Sequence, residues 1–217
     1  MLLLMNFMIE KLPMKLLNLA FVSVLALFTI LPLQAQTMSE PEKVVRDTVN
    51  SVVENIQTNR DLYRKDTEKL HQMIETTLVP VLHLPRMANL ILGRETSRSA
   101  TPQQKKDFAA AFKTSVIRTY APLLLDFTGN DKVIFEPAQL ADGADKVTVK
   151  AQLVAASGDS FPISLFMSNR KDTRWRAYNM EVAGINFIST YRLTYGSIIS
   201  QKGLDGLIDD LNSKNAR

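Results

Sequence analysis

Apolar and polar residues alternate along the second half of the chain. The inward members of two such stretches are Val147, Val149, Ala151 and Leu153, and then Phe161, Ile163, Leu165 and Met167. A period of two residues predicts half-buried strands. Turn-forming residues at 157–159 and 169–173 separate the stretches. Together with residues 132–136 and 175–182, they predict about four antiparallel strands joined as a meander.

The first half of the chain has the three-to-four-residue period of helices. A first helix is expected from Ser39 as N-cap, with Glu42 completing a capping box. A second is expected over residues 67–79, and a short third over residues 85–92 that Gly93 stops. A fourth begins at residues 101–104, which again read as a capping box. Its apolar stripe is Phe108, Phe112, Val116, Tyr120 and Leu123.

After the last strand, the chain returns to the helical period. Gly184 ends the strand, and we expect an amphipathic helix over about residues 186–200 that opens with Ile185, Phe187 and Ile188. A shorter helix is expected over residues 204–211. Helices, then a sheet, then helices predict an α+β domain.

The N-terminal segment has the pattern of a signal peptide. Residues 16–31 carry no charge, Pro32 follows, and Ala35 is a small residue at a cleavage position. The apolar run is about 16 residues, shorter than the roughly 20 that a membrane-spanning helix needs. We therefore expect a signal peptide over residues 1–35, including a possible upstream start extension, and a single domain over residues 36–217. A retained membrane anchor is the alternative.

Composition excludes several classes of protein. The formal net charge is only +4, and the basic residues are scattered, whereas nucleic-acid binding favours a clustered basic stripe. The chain has no cysteine, which excludes disulfides, thiol chemistry, cysteine metal sites and a lipoprotein anchor. An exported domain of this composition is stabilised by core packing alone.

Candidate catalytic chemistry is sparse. The two histidines, His71 and His83, have no metal-ligand spacing, and no nucleophile elbow or phosphate loop is present. Asp126 and Glu181 are the carboxylates near apolar segments, and neither has an evident partner. The sequence therefore favours a protein that is not an enzyme and that has neither metal nor cofactor.

Several motifs spread over residues 44–211 resemble one family. They include TPQQ at residues 101–104 followed by Phe108 and Phe112, then Trp175, Tyr178 and Met180, then Gly184-Ile185, and GLDGL at residues 203–207. Together they are similar to the MlaC family, also called the toluene-tolerance family. One departure is Asn179, where the family usually has aspartate, and this puts any salt bridge there in doubt.

The resemblance implies a nuclear-transport-factor-like fold with an apolar pocket between sheet and helices. It implies a periplasmic phospholipid carrier whose cargo keeps its acyl chains in that pocket. The implied partners are an inner-membrane ABC transporter with an MCE ring and an outer-membrane lipoprotein–porin complex. A shuttle of this kind is most economical as a monomer, and it needs no cofactor beyond its phospholipid cargo.

The resemblance also implies the pocket-lining residues. Matching motif positions are Tyr120, Tyr178, Ile185 and Ile188, and the inward phase of the elements adds Phe112, Val116, Leu165 and Met167. Ile185 is the first choice, because we expect it to begin the helix directly after the strand-ending glycine.

Two other functions stay open at this point. A cavity enzyme acting on a hydrophobic substrate would need a buried carboxylate with a raised pKa, for which Asp126 is the candidate. A non-lipid interaction module of the cell envelope would instead show a large exposed apolar patch and no internal cavity.

Overall fold

The structure is a computed structural model that describes residues 38–170 and 173–216. The expected signal peptide and the chain start near Gln36 lie outside the described residues. Within those two ranges, no helix combines the length and the apolar character that crossing a membrane requires.

The described chain folds as five α-helices and one five-stranded antiparallel sheet. The helices are α1 (Glu40–Lys65), α2 (Thr67–Thr77), α3 (Leu84–Ser99), α4 (Pro102–Leu124) and α5 (Phe187–Asn215), with a 3₁₀ turn at Val79–Val81. The strands are β1 (Lys132–Phe135), β2 (Lys146–Val154), β3 (Ser160–Ser168), β4 (Arg176–Val182) and β5 (Ile185–Asn186). The order β1-β2-β3-β4-β5 is the expected meander, and the α+β class is confirmed.

The short fifth strand corrects one expectation. Ile185 does not begin a helix, because it pairs with Val182 as part of β5, and α5 begins two residues later. Ala183 and Gly184 both have positive φ, at 50° and 80°. Two positive φ angles in a two-residue connection match the twist of paired strands, so the chain turns back as a hairpin before it becomes helical.

The two expected capping boxes have different outcomes. At α4, Thr101 Oγ1 accepts a hydrogen bond from the Gln104 N–H, and Gln104 Oε1 accepts one from the Thr101 N–H, as expected. At α1 the expectation is wrong, because the Ser39 side chain makes no capping hydrogen bond. Glu42 is instead buried, and it accepts hydrogen bonds from Arg46 and from the Ala138 N–H beyond β1. A tertiary contact has replaced the local one.

Two glycines interrupt helices that otherwise continue. Gly93 in α3 has φ 74° and ψ 174°, and Gly203 in α5 has φ 73° and ψ 178°. Only glycine adopts this region without strain. Gly93 therefore breaks α3 rather than ending it, and the two helices expected at the C-terminus are the two parts of α5.

Three apolar clusters hold the elements together. The largest joins α3, α4 and α5 around Phe108, Phe112 and Leu207. A second joins α1, α2 and α4 around Ile56 and Leu70. The third fixes α1 to the sheet, and its buried members are Val45, Val149, Met167, Trp175 and Ala177.

We predict that Glu42→Ala lowers the free energy of unfolding by roughly 2 kcal/mol, because it removes charge-assisted hydrogen bonds and leaves the Ala138 N–H without its acceptor. Glu40→Ala is the matched control, since Glu40 is exposed in the same first turn. Urea unfolding of the chain without its first 35 residues measures both. Equal small losses would show that the contact with Ala138 contributes little.

We predict opposite effects for one substitution at two glycines of α5. An added Cβ meets no atom within 4 Å at either Gly196 or Gly203. Gly196→Ala should stabilise by about 0.5–1 kcal/mol because its backbone is helical. Gly203→Ala should destabilise by about 1–3 kcal/mol through backbone strain alone. The same sign for both, in thermal unfolding, would contradict a strained break at Gly203.

Candidate functional site

The inner face of the sheet is covered at one end and open at the other. Strand pairing places Val149 opposite Leu165 and Leu153 opposite Phe161, so these side chains share the inner face. Along β3, Met167 is 1% exposed, Leu165 and Ile163 are half-buried, and Phe161 is 40% exposed. The helix α1 therefore covers only the end of the face where its Val45 packs.

The strands β4 and β5 show the same gradient of side-chain exposure on the inner face. Ala177, near the covered end of β4, is buried, and Val182, near its other end, is half-buried. Ile185, which pairs with Val182, is 66% exposed. The open end of the inner face therefore extends from the β2–β3 hairpin to the β4–β5 hairpin.

The apolar stripe of α4 also becomes more exposed toward one end, its C-terminus. Phe108 and Phe112 are buried, Val116 is half-buried, Tyr120 is 42% exposed and Leu123 is more exposed still. The main backbone contacts of α4 are with α2, α3 and α5 rather than with the sheet. On this stripe, Tyr120 and Leu123 in the C-terminal half of α4 therefore stay exposed in the described structure.

Phe187 connects these two open apolar surfaces. Its ring centroid lies 6.3 Å from that of Tyr120 on α4. Phe187 follows β5 directly and stands two residues after Ile185. We group the exposed side chains at these open ends with Phe187 and call them the apolar mouth: Tyr120, Leu123, Phe161, Ile185 and Phe187. It lies at the open end of both gradients.

Seven of the eight candidate lining residues fall into three positions. Tyr120 and Ile185 belong to the apolar mouth, and Val116 and Leu165 are half-buried further along the same two stripes. Three are buried in the packed clusters: Phe112, Met167 and Ile188. Tyr178 lies apart from all of these.

A β-bulge separates Tyr178 from the other candidates. Phe166 pairs with Asn179 and Met167 with Ala177, which leaves Tyr178 as the extra residue. The centroid of its ring lies 6.5 Å from that of Phe166, and alternation places Phe166 on the outer face of the sheet. The Arg86 guanidinium lies over the Tyr178 ring, 3.5 Å from its centroid. The structure therefore does not bring Tyr178 together with the apolar mouth.

Asn179, the departure from the family pattern, makes hydrogen bonds in place of a salt bridge. Its Oδ1 accepts from the Ile188 N–H at the start of α5, and its Nδ2 donates to Asn186 Oδ1. Asn186 in turn accepts from the Ser189 N–H. The two amides thus satisfy backbone donors of the first turn of α5 and fix its direction from β5.

An aromatic cluster fills the space between α4 and α5. The centroid of the Tyr191 ring lies 5.1 Å from that of Phe112, 4.8 Å from that of Phe187 and 5.2 Å from that of Tyr195. The Phe108 ring meets the Tyr195 ring edge-on, with 6.0 Å between their centroids. Sequence reasoning did not single out Tyr191 or Tyr195. Their spacing was the available signal, since positions 187, 191 and 195 recur every four residues on one helix face.

Two tyrosine hydroxyls meet where this cluster reaches the apolar mouth. Tyr191 Oη donates to Tyr120 Oη at 3.3 Å. Burial raises the pKa of the Tyr191 phenol above its ordinary value, and the hydrogen bond with Tyr120 adds to this effect. Burial likewise raises the pKa of Tyr195 to about 12. Both phenols are therefore neutral at physiological pH.

The remaining candidate groups do not form a reaction centre. His83 Nδ1 caps α3 by accepting from the Arg86 N–H, and His71 lies 3.8 Å from Glu68. Asp126 is exposed after α4, and Glu181 pairs with Ser164, on the outer face of the sheet. Across residues 38–170 and 173–216, no group of three or more His, Asp or Glu side chains is arranged to hold a metal ion.

A polar cleft of about 720 Å³ lies away from the apolar mouth. It runs between α4 and the last part of α5, and its lining includes Asp107, Asp205, Asp209 and Asn212. Asp205 already accepts a hydrogen bond from Gln104. The carboxylates and amides of this cleft do not match the acyl chains of a lipid.

Comparison with known proteins agrees with the apolar character of the site. The Pseudomonas putida "Toluene tolerance protein ttg2D" is 27% identical over 187 residues, which cover 85% of this chain and 84% of that protein. The Haemophilus influenzae "Intermembrane phospholipid transport system binding protein MlaC" is 22% identical over 173 residues, covering 78% and 79%.

A solved structure shares the fold. It is a phospholipid-binding protein from Ralstonia solanacearum in complex with a phospholipid, with a TM-score of 0.74 and 26% sequence identity. The similarity covers 82% of this chain and 98% of that one. Its ligand is a phospholipid rather than a redox or metal cofactor.

The family model described as "MlaC protein" matches residues 46–213. This family is one of phospholipid-binding transport proteins and not of enzymes, so the expectation that the chain is not an enzyme is confirmed. The chain belongs to the MlaC family.

Proposed function

We propose that the protein is a periplasmic phospholipid carrier. The acyl chains lie between the inner face of the sheet and α4, and they enter at the apolar mouth. The observation that carries this proposal is the matched pair of burial gradients, on β3 and on α4. Two apolar surfaces that each lose their cover along their length, linked by the contact of Phe187 with Tyr120, suit a ligand that is itself apolar over most of its length.

The energetics suit a carrier. Burial of a methylene contributes about 0.8 kcal/mol relative to water, so some 30 methylenes of two acyl chains would contribute on the order of 20 kcal/mol. The same methylenes are already buried in a bilayer. Transfer between bilayer and protein is therefore close to neutral, which allows the cargo to be both taken up and released.

We propose that seven of the eight candidate residues act as two layers of the site. Tyr120, Ile185, Val116 and Leu165 contact the lipid, since they are exposed or half-buried on the two walls. Phe112, Met167 and Ile188 are buried beneath them and shape the walls by packing. The eighth, Tyr178, is not one of these layers, because its ring packs with Phe166 on the outer face of the sheet.

We further propose that the protein acts as a monomeric shuttle. Its partners would be an inner-membrane ABC transporter with an MCE ring and an outer-membrane lipoprotein–porin complex. The name of the Haemophilus relative, an intermembrane phospholipid transport system binding protein, supports this assignment. The signal-peptide pattern of residues 1–35 supports export to the periplasm.

The same open surface also suits a second candidate, an envelope module that docks another protein there. The observation that favours this candidate is the exposure of the apolar side chains at the apolar mouth, because exposed apolar patches often bind other proteins. The two candidates differ in what the surface carries after purification. A carrier holds lipid, and a docking module holds none.

The experiment that separates them is native mass spectrometry of the protein purified from its own periplasm, followed by organic extraction and identification of the lipid. Diacyl phospholipid at near one molecule per chain supports the carrier and names the head groups. A folded protein without lipid would contradict the carrier and favour the docking module.

We predict that Ile185→Glu leaves the domain folded and lowers its phospholipid occupancy by roughly tenfold or more. Ile185 is exposed, so the charge costs little in the unloaded protein, but an acyl chain against it would desolvate the carboxylate at several kcal/mol. Native mass spectrometry measures occupancy, and circular dichroism checks the fold.

Leu193→Glu is the matched control for this prediction. Leu193 is 79% exposed on α5, two residues from both Tyr191 and Tyr195, which puts it on the side opposite the aromatic cluster. The control should keep its lipid. Normal occupancy in Ile185→Glu would remove Ile185 from the site, and equal loss in both variants would point to net charge rather than to position.

A further inference from the structure

The hydroxyl pair of Tyr120 and Tyr191 is an unusual polar feature in an apolar region. Tyr191 is half-buried, and its ring packs between Phe112 and Phe187. Tyr120 is exposed at the apolar mouth, and Phe187 lies beside it. The pair therefore sits where the buried aromatic cluster gives way to the open end of the proposed lipid site.

The pair has one more proton than its own hydrogen bond uses. Each phenol carries one O–H, and the bond between them uses a single proton, that of Tyr191. No other hydrogen bond of the Tyr120 hydroxyl is formed with residues 38–170 or 173–216. If the direction of the bond reverses, the spare proton belongs to Tyr191 instead. Either arrangement leaves one donor for a ligand.

The chemistry of this donor favours a neutral acceptor. The Tyr191 phenol stays protonated at physiological pH, because burial and the hydrogen bond with Tyr120 raise its pKa. Proteins recognise phosphate mainly with arginine, lysine or helix N-termini, which supply charge as well as hydrogen bonds. A neutral hydroxyl inside an aromatic wall instead matches an ester carbonyl, which is itself uncharged and adjoins the acyl chain.

We propose that the Tyr120–Tyr191 pair binds an acyl-ester carbonyl of the cargo phospholipid. The spare O–H donates to the carbonyl, and the contact fixes how deep the acyl chain lies between α4 and the sheet. The pair thus recognises the junction between the acyl chain and the head group, and the head group stays at the apolar mouth. This inference rests on the proposed function and adds to it a preference for ester-linked lipids.

The test compares two phospholipids of the same head group and chain length, one diacyl with ester links and one dialkyl with ether links that lack carbonyls. Dissociation constants are measured for the delipidated protein with each lipid dispersed in the same detergent. The unmodified protein should prefer the ester lipid by about fivefold, equivalent to about 1 kcal/mol. The double variant Tyr120→Phe/Tyr191→Phe should bring that ratio close to one.

A double variant is needed because each single variant keeps one hydroxyl proton. The matched control is Tyr195→Phe, which removes a hydroxyl from the next turn of the same helix, deeper in the aromatic cluster. This control should keep the ester preference even if its overall affinity falls. A purely structural hydroxyl pair would weaken both lipids equally and leave the ratio unchanged.

The outcomes separate this inference from the carrier function itself. An unmodified protein that binds neither lipid would overturn the carrier proposal. One that binds both equally would leave the carrier standing and overturn the role of the pair, whether or not the double variant folds. Loss of the preference in Tyr195→Phe as well would also overturn it, because the cause would then be loosened packing.

Discussion

The packing of α1 against only one end of the sheet is the constraint on which the rest of the structure depends. Val45 and Trp175 bury Met167 and Ala177 at that end, whereas Phe161 and Ile185 at the other end stay exposed in the described part of the chain. The buried Glu42 carboxylate ties α1 to the segment after β1 by accepting a hydrogen bond from the Ala138 N–H, and Arg46 of the same helix pairs with it. If α1 covered the whole inner face of the sheet, that face would be part of an ordinary core. Because α1 covers only one end, the rest of the face stays open as the apolar wall of the proposed lipid site.

The second wall depends on how α4 distributes its aromatic side chains. Phe108 and Phe112 pack on Tyr191 and Tyr195 of α5, so the bulk of these rings is used between the helices rather than against the sheet. The two helices present aromatic residues at four-residue spacing, and the rings interlock in edge-on contacts. This aromatic packing keeps α4 beside α5, and the C-terminal half of α4 is the part that we propose contacts the lipid.

A carrier built in this way needs little directional chemistry. Acyl chains gain almost nothing on moving from a bilayer into an equally apolar site, so a few polar contacts suffice to set their position. The contact that we propose for this purpose is the Tyr120–Tyr191 hydroxyl pair. Stronger binding through charges would oppose release, which a transport protein has to perform as often as uptake.

The sequence by itself determined the α+β order of elements, the capping box at Thr101 and the apolar stripes, because these follow from local period and local hydrogen bonds. Motifs spread along the sequence also indicated the family. Tertiary structure alone decided that Ile185 belongs to a hairpin, that Glu42 bonds a residue 96 positions away, and that a bulge turns Tyr178 from the inner wall. Periodicity shows which side chains face inward, but it contains nothing about what covers them, and a single extra residue in one strand reverses the face that alternation assigns.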